Sequence, residues 1–209
     1  MKLVVTGGAG FLGYHLCNQL AKEFEEIRII DIVPIKPEEY PSNAKYYPVD
    51  VRHADNLNTS FAGADLIIHA ASALPRWKQN EIFDINVSGA RNVLEAAKLN
   101  RISRVIFISS TTVYGITHKN PILENDLLDG VGIYGNSKVE AEKVFVEYRQ
   151  KECVLRSSAQ KHLSVLAVWA YFKFFLTGLN RGKKFHSLAM AVIAINYSTL
   201  SIWSMPLNV

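Results

Sequence analysis

A glycine-rich segment constrains the fold of this 209-residue chain more than any other feature. The segment is TGGAGFLG at residues 6–13, between an apolar run that predicts a strand and a pattern that predicts a helix. Its glycines fit GxxGxxG through Gly7, Gly10 and Gly13, and GxGxxG through Gly8, Gly10 and Gly13. Backbone N–H groups at a helix amino terminus bind a pyrophosphate, and glycines let the backbone approach it closely. Glycines alone also mark tight turns, so the strand and helix around them carry the prediction of a dinucleotide site.

An acidic residue follows at the spacing that such a site requires. Asp31 ends the second predicted strand, eighteen residues after Gly13. An acid there is expected to accept hydrogen bonds from the adenosine ribose hydroxyls. Its carboxylate repels the 2′-phosphate of NADP, and no arginine follows immediately to bind that phosphate. The pattern therefore favours NAD, although Asp31 taken alone would also suit a turn at the end of a strand.

Strand-like and helix-like segments alternate over the first three quarters of the chain. Short apolar runs predict strands at residues 2–6, 27–31, 45–49, 66–69 and 105–109. Between them, 3.6-residue periodicity predicts helices at 11–23, 80–99 and 134–149. Fully apolar strands that alternate with helices indicate an α/β fold with a doubly wound parallel sheet, the Rossmann fold.

Charge is distributed unevenly and excludes some functions. All 19 acidic residues lie in 1–152, whereas 153–209 has six basic residues and none that is acidic. No basic face with interleaved aromatics is apparent in 1–152, so nucleic-acid binding is not expected. The two cysteines, Cys17 and Cys153, have no metal-ligand spacing, so we expect neither a metal site nor a disulfide framework. We expect a cytoplasmic protein without a signal peptide.

Several further motifs follow the glycine segment in order. They are Asp50-Val51, His69-Ala70-Ala71, Asn86-Val87 with NVLEAA at 92–97, SSTTVYG at 109–115, and YGNSK at 134–138. Over residues 1–152 the sequence resembles the extended short-chain dehydrogenases, the NAD-dependent epimerase/dehydratase family that includes UDP-glucose 4-epimerases. The resemblance implies NAD as the cofactor. It also implies cofactor contacts from Gly7, Gly10, Phe11, Leu12, Gly13, Asp31, Asp50, Val51, Ala70, Ala71, Tyr134 and Lys138.

The resemblance also implies a catalytic set formed by Ser110, Tyr134 and Lys138. Residues four apart share a helix face, so Tyr134 and Lys138 would face one cleft, where an ammonium stabilises a phenolate. Tyr134 would then take a proton from a sugar hydroxyl, and Ser110 would bind the same oxygen. Alone, such a Tyr and Lys would equally suit an exposed surface pair. Asn86 and Thr111 are expected to contact substrate, although Asn86 would also suit a helix cap.

One departure from the family pattern bears on the reaction. Nucleotide-sugar 4,6-dehydratases of the family have Asp-Glu after the catalytic hydroxyl residue, because loss of water needs an acid and a base. Here Thr111 and Thr112 occupy these positions. The sequence therefore disfavours dehydration and leaves 4-epimerisation, or simple alcohol oxidation and ketone reduction.

The segment 153–209 departs from the family altogether and is predicted to be an aberrant hydrophobic tail. Back-translated with chosen wobble bases and read from the third base, residues 158–166 give RPKTFIGP. In the same frame, residues 185–200 give PFLGNGSNRYQLLDV. Both resemble family motifs, RPxxxxGP and GxGxxRYQLLDVxDL, so we infer a single-base loss near residues 150–152. The chain should then lack most of the carboxy-terminal substrate domain. It should also lack the sixth strand of the sheet, so that the strand at 105–109 would form an unpaired sheet edge. A genuine membrane anchor is the alternative, but its Asn, Ser and Thr content disfavours it.

The sequence thus predicts an NAD-binding Rossmann domain at 1–152 of an enzyme that resembles nucleotide-sugar (UDP-hexose) 4-epimerases. The alternatives are an NAD-dependent enzyme related to hydroxysteroid dehydrogenases or reductases, and an NAD-binding module without turnover. The expected partner is a small-molecule substrate, with no membrane involved. A full-length form is expected to be a homodimer that assembles through helices 86–99 and 134–149.

Overall fold

A parallel sheet forms the centre of the computed structural model, which describes residues 1–102, 104–116, 122–123, 126–155 and 162–166. Most of the segment 153–209 lies outside these residues. In the described part the sheet has six strands, in the order β3-β2-β1-β4-β5-β6, and every neighbouring pair is parallel. The strands are β1 (Lys2–Thr6), β2 (Glu26–Asp31), β3 (Ala44–Pro48), β4 (Leu66–His69), β5 (Arg104–Ile108) and β6 (His162–Leu166). The prediction of a doubly wound parallel sheet is confirmed.

Helices connect the strands and cover the sheet. They are α1 (Phe11–Gln19), α2 (Ala54–Ser60), α3 (Gln79–Phe83), α4 (Gly89–Leu99) and α5 (Gly132–Leu155), with a π-helical turn at Asp84–Ser88 and 3₁₀ turns at Pro37–Glu39 and Thr111–Tyr114. The predicted helix at 80–99 therefore includes a π turn, and the helix predicted for 11–23 ends at Gln19. None of the helices in the described part is long and apolar enough to cross a membrane.

The apolar strands form a core that excludes water from both sheet faces. Leu3, Val4 and Val5 on β1 are fully buried, as are Ile27 and Ile29 on β2. A buried Val or Leu side chain contributes about 1.5–3 kcal/mol relative to an exposed one, so the central strands are anchored firmly. Their carboxyl ends consequently have fixed positions, and these ends present the residues of the site.

The sixth strand corrects one expectation. The edge at residues 105–109 does not remain unpaired, because β6 pairs with β5 over its whole length, from Arg104 opposite His162 to Ile108 opposite Leu166. The sequence HLSVL alternates polar and apolar residues at its first four positions, as a strand does. A neighbouring strand also satisfies the backbone groups that the β5 edge would leave unpaired. The composition of the segment 153–209 does not indicate this strand, because the alternating pattern extends over only four residues.

Candidate active site

The glycine segment forms a tight loop between β1 and α1. Gly7 has φ +71°, a conformation that favours glycine, and a Cβ there would lie 2.6 Å from the backbone nitrogen of Ala71. A Cβ on Gly13 would lie 2.2 Å from the carbonyl oxygen of Gly7. These close approaches pack the loop against the chain that leaves β4 and against the first turn of α1. Substitution of either glycine would displace backbone that no side-chain movement can relieve.

The first turn of α1 could hold a phosphate group. Gly10 is the N-cap and has no side chain to occupy the helix terminus, and Phe11 and Leu12 follow it. Amide groups of a first helical turn have no acceptor within the helix, and the helix dipole favours an anion beside them. Phe11 is half exposed and Leu12 is partly buried, so the loop lies at the protein surface where a dinucleotide can reach it.

Asp31 stands beside this loop at the carboxyl end of β2. Its Oδ2 accepts a hydrogen bond from the backbone N–H of Ala9 at 3.0 Å, and its Oδ1 accepts one from the N–H of Val33 at 3.0 Å. The carboxylate is therefore held at the glycine loop, where the adenosine ribose of a bound dinucleotide would lie. Its position agrees with the role expected from the sequence, which remains a prediction.

Asp50 and Val51 follow β3. Arg52 Nη2 lies 2.6 Å from Asp50 Oδ2, and this hydrogen bonding lowers the pKa of the Asp50 carboxyl. The side chain of Val51 is 6% exposed, and a Cβ on Gly89 would lie 2.7 Å from its Cγ2. Asp50 thus sits near the protein surface, whereas Val51 packs against the start of α4. The contact of both residues with adenine remains a prediction.

Ala70 and Ala71 continue from β4 and bind β1. The N–H of Ala70 donates to the carbonyl of Thr6 at 3.1 Å, and the N–H of Ala71 donates to Thr6 Oγ1 at 3.3 Å. His69, which precedes them, is fully buried, and its Nδ1 lies 2.6 Å from Thr6 Oγ1. His69 therefore fixes the strand ends from within the core, and the alanine backbone lies against the glycine loop.

A hydroxyl-rich turn follows β5. Ser110 caps the 3₁₀ turn: its Oγ accepts from the N–H of Thr112 at 3.3 Å and from Thr112 Oγ1 at 2.9 Å. Ser110 and Thr111 are partly exposed. The carbonyl of Thr112 accepts from the N–H of Val131 at 2.9 Å, which brings this turn to the start of α5.

Close packing sets the start of α5 against the same turn. A Cβ on Gly135 would lie 2.8 Å from the carbonyl oxygen of Thr112. Gly135 follows Tyr134, which is partly buried, so the first turn of α5 brings Tyr134 beside the segment that carries Ser110. Lys138 lies one helical turn further on and is 3% exposed.

Lys138 occupies a buried position at the end of β5. Its Nζ donates to the carbonyl of Ile108 at 3.1 Å and lies 4.9 Å from the centre of the Phe107 ring. Burial lowers the pKa of Lys138 to about 8, and the nearby Glu142 carboxylate opposes this shift. Lys138 is therefore buried and does not form the exposed surface pair that the Tyr-Lys spacing also allowed.

Asn86 has a different environment from the one expected. The sequence placed it against substrate, but it is 2% exposed and lies within the π turn. Its Oδ1 accepts from the N–H of Ala73 at 2.8 Å and from Ser72 Oγ at 3.0 Å. Its Nδ2 donates to Ser137 Oγ at 2.9 Å and to the carbonyl of Ala73 at 3.4 Å. These four bonds use the full capacity of the amide, so Asn86 acts on a site only through the residues that it fastens.

The structure therefore brings the glycine loop, Asp31, Ala70 and Ala71 to one edge of the sheet, and Ser110, Tyr134 and Lys138 to the adjoining strand end and helix. The sequence interpretation missed the residues that support this arrangement: Ser72, Ala73, Ser109, Ser137 and Glu142. Glu142 could have been found, because it lies four residues after Lys138 and so shares its helix face. The others carry no local signal.

The site fits a dinucleotide on its own geometry. A Cβ on Gly10, the exposed N-cap of α1, would meet only the Gly7 carbonyl oxygen, at 3.2 Å, so this helix terminus is open to an anion. The Asp31 carboxylate stands at the neighbouring strand end. Among the residues that the structure describes, no group of His, Cys, Asp and Glu side chains could hold a metal ion.

Comparisons with known proteins show which family this chain resembles. The model of the NAD dependent epimerase/dehydratase family matches residues 3–158. A UDP-glucose 4-epimerase of Lactobacillus helveticus is 28% identical over 172 residues, which cover 79% of this chain and 52% of the relative. A 3 beta-hydroxysteroid dehydrogenase/Delta 5-->4-isomerase of Monkeypox virus is 35% identical over 156 residues, which cover 68% of this chain and 45% of the relative.

A solved structure extends the comparison to the fold. DesIV, a dTDP-glucose 4,6-dehydratase from Streptomyces venezuelae determined with NAD and TYD bound, matches with a TM-score of 0.68 and 25% identity. The match covers 73% of this chain and 52% of DesIV. The chain spans about half the length of the relatives it matches.

Proposed function

This chain belongs to the NAD-dependent epimerase/dehydratase family, and on that premise we propose that it is the NAD-binding part of an enzyme resembling UDP-hexose 4-epimerases. The observation that carries the proposal is the position of the first turns of α5, where Gly135, next to Tyr134, packs against the Thr112 carbonyl and Lys138 binds the Ile108 carbonyl. Its substrate would be a nucleotide sugar. The test is interconversion of UDP-glucose and UDP-galactose without net change of NAD.

The cofactor would be held by Gly7, Gly10, Phe11, Leu12, Gly13, Asp31, Ala70, Ala71 and Lys138, with Asp50 and Val51 toward the adenine. Bound NAD supplies the acceptor and donor of hydride. Tyr134 Oη takes the proton from the sugar hydroxyl when hydride leaves the same carbon, and it returns the proton in the reverse step. The Lys138 ammonium stabilises the phenolate that performs this transfer.

The contacts of Ser110 suit a donor to the substrate oxygen. A hydroxyl has one donor and two acceptor positions, and Ser110 Oγ accepts from both the N–H and the Oγ1 of Thr112. Its proton is left for the oxygen on which negative charge develops. Thr111 stands next to it as a proposed substrate contact. Because Thr111 and Thr112 offer neither a carboxylic acid nor a carboxylate, we place dehydration outside the proposed reactions.

A second function is favoured by one observation. The relative from Monkeypox virus, a hydroxysteroid dehydrogenase/isomerase, has a higher identity than the epimerase of Lactobacillus helveticus. A dehydrogenase of that kind would release NADH in a stoichiometric amount with a hydroxysteroid substrate, whereas an epimerase would not. NAD binding without turnover of either substrate would indicate that the protein is an NAD-binding module without catalytic activity.

We predict that the protein prefers NAD over NADP because of the Asp31 charge. Asp31→Asn keeps an acceptor oxygen for one of the two amides, Ala9 or Val33, and removes the negative charge that repels a 2′-phosphate. The NADP/NAD ratio of dissociation constants should fall by roughly tenfold, equivalent to about 1.4 kcal/mol. Fluorescence titration with NADH and NADPH measures this ratio, and Asp55→Asn on α2 is the control. Equal affinities in the unmodified protein would contradict the prediction.

We also predict that a frame-restored form dimerises through α4 and α5. These helices pack together, with Tyr148 on α5 donating a hydrogen bond to Glu95 on α4, and they expose Leu99 and Val146. Light scattering at micromolar concentration should give twice the monomer mass, and Val146→Glu should give the monomer. A strictly monomeric unmodified protein would contradict this proposal.

We propose that the segment 153–209 is the product of a shifted reading frame. The RPKTFIGP and PFLGNGSNRYQLLDV segments found in the other frame support this proposal. The coding DNA around codons 148–160 tests this directly. The cysteine content supports the further proposal of a reducing, cytoplasmic setting.

A further inference from the structure

The helix face that carries Lys138 also carries a partly buried carboxyl group, that of Glu142, which the proposed mechanism does not use. Glu142 lies one turn after Lys138 on α5, and its Oε1 accepts a short hydrogen bond from Ser109 Oγ. Ser109 directly follows Ile108, whose carbonyl accepts the hydrogen bond from Lys138 Nζ. Two consecutive residues at the end of β5 therefore bind two residues one helical turn apart on α5.

The position of Glu142 offsets the desolvation of the Lys138 ammonium. An ammonium that is 3% exposed loses most of its hydration, and the carbonyl of Ile108 and the Phe107 ring provide only partial compensation. A carboxylate on the adjacent turn supplies the opposite charge. The Ser109 hydroxyl in turn stabilises that carboxylate, because a hydrogen bond to a charged oxygen favours the ionised form.

We propose that Glu142 is a positioning residue that, together with Ser109, keeps the Lys138 ammonium charged and fixed at the end of β5. The functional meaning rests on the proposed function, in which charged Lys138 stabilises the Tyr134 phenolate. Glu142 would then act on the proton transfer through Lys138 without touching substrate.

The titrations of Lys138 and Glu142 can be distinguished from those of the neighbouring groups. The Lys138 charge is coupled to Glu142 on α5 and to His69 on β4. The proposed function adds Tyr134, which lies one helical turn before Lys138 on α5. Burial, and then the Lys138 charge, lower the pKa of His69 to about 3, so His69 stays neutral at higher pH. Burial raises the pKa of Glu142 above its ordinary value of 4.5, opposed by Ser109 and Lys138. A titration that Lys138 senses above pH 4.5 and below its own is assigned to Glu142 if it persists in Tyr134→Phe and is lost in Glu142→Gln.

NMR of the 209-residue chain with ¹³C-labelled lysine tests the proposal, with Lys138→Met identifying the Lys138 Cε resonance. In the unmodified chain this resonance should titrate near pH 8 and show a second, smaller inflection at the pH where Glu142 ionises. Glu142→Gln should abolish the second inflection. It should also lower the main titration by about one pH unit or more, because the favourable charge is lost. Glu142→Asp, which retains the charge, should restore most of the shift.

The matched control is Glu140→Gln. Glu140 lies on α5 as well, but it is half exposed and paired with Lys143 at 2.7 Å, so this substitution should leave the Lys138 titration unchanged. An unshifted Lys138 titration in folded Glu142→Gln would overturn the proposal. If circular dichroism shows that this variant does not fold, absence of the second inflection in the unmodified chain would overturn it instead.

NADH binding by the same samples separates this proposal from the proposed function. Failure of the unmodified chain to bind NADH would remove the proposed function, whereas the Lys138 titration would still decide the role of Glu142. If NADH does bind, its affinity in Glu142→Gln should fall with rising pH about one unit earlier than in the unmodified chain. A merely structural role for Glu142 would weaken binding equally at every pH.

Discussion

Restoring the reading frame after residue 152 is expected to convert a chain with little or no turnover into an active oxidoreductase. Residues 1–152 supply the cofactor loop, Ser110, Tyr134 and Lys138. Hydride transfer also requires a pocket that holds the sugar at reacting distance and excludes water. We expect the restored protein to turn over UDP-galactose within the ordinary range of roughly 1–10³ s⁻¹, and the 209-residue chain to be slower by at least about two orders of magnitude.

A coupled assay of UDP-glucose formation with both purified proteins measures the difference. The restored protein carrying Gly13→Val is the negative control, because the first side-chain carbon would lie 2.2 Å from the Gly7 carbonyl oxygen and disrupt the cofactor loop. A soluble 209-residue chain with full activity would show that the shifted frame is the wrong explanation of the tail.

Local sequence patterns predicted most of the sheet and failed where pairing or composition mattered more. The first five strands consist of apolar runs, and their predicted bounds differ from the observed bounds by at most one residue at either end. Helix α2 was missed because Asn, Thr and Ser dominate its seven residues and have low helix propensity. Leu57 within it and Phe61 at its end are nevertheless fully buried, so tertiary packing stabilises it. Strand β6 depends on its pairing with β5, which local composition does not reveal.

In the candidate site, too, local patterns predicted some positions, whereas contacts between distant residues could not be predicted. Motif spacing predicted where Gly7, Asp31 and Lys138 lie, because loop glycines, strand ends and residues four apart on a helix have fixed relations to the fold. Their roles in binding and catalysis remain predictions. It could not identify the partner of Asn86, since Ser137 is 51 residues away in the sequence. Local patterns also could not reveal that Asn86 is buried, and its expected contact with substrate remains a prediction. The pairing of Ser109 with Glu142, 33 residues apart, was equally beyond a local pattern.

Tyr134→Phe in the frame-restored protein is expected to lower the rate of hydride transfer by roughly two or more orders of magnitude, the loss typical for a general acid/base. The substitution removes one hydroxyl and leaves the partly buried aromatic ring. The glycine loop, Asp31 and Lys138 remain, so the dissociation constant of NADH should change little. Single-turnover absorbance of NADH measures the rate, and fluorescence titration measures the affinity.

Tyr148→Phe provides a matched control for this prediction. It makes the same chemical change on the same helix, but the Tyr148 hydroxyl donates a hydrogen bond to Glu95 on α4. Its hydride-transfer rate should stay within about threefold of the unmodified rate, since a surface hydrogen bond contributes only about 0.5–1.5 kcal/mol to stability and nothing to the transition state. Near-normal turnover of Tyr134→Phe would refute the assignment of Tyr134 as the acid/base. A rate loss accompanied by an equal loss of NADH affinity would instead assign Tyr134 to cofactor binding, because an acid/base acts only in the transition state.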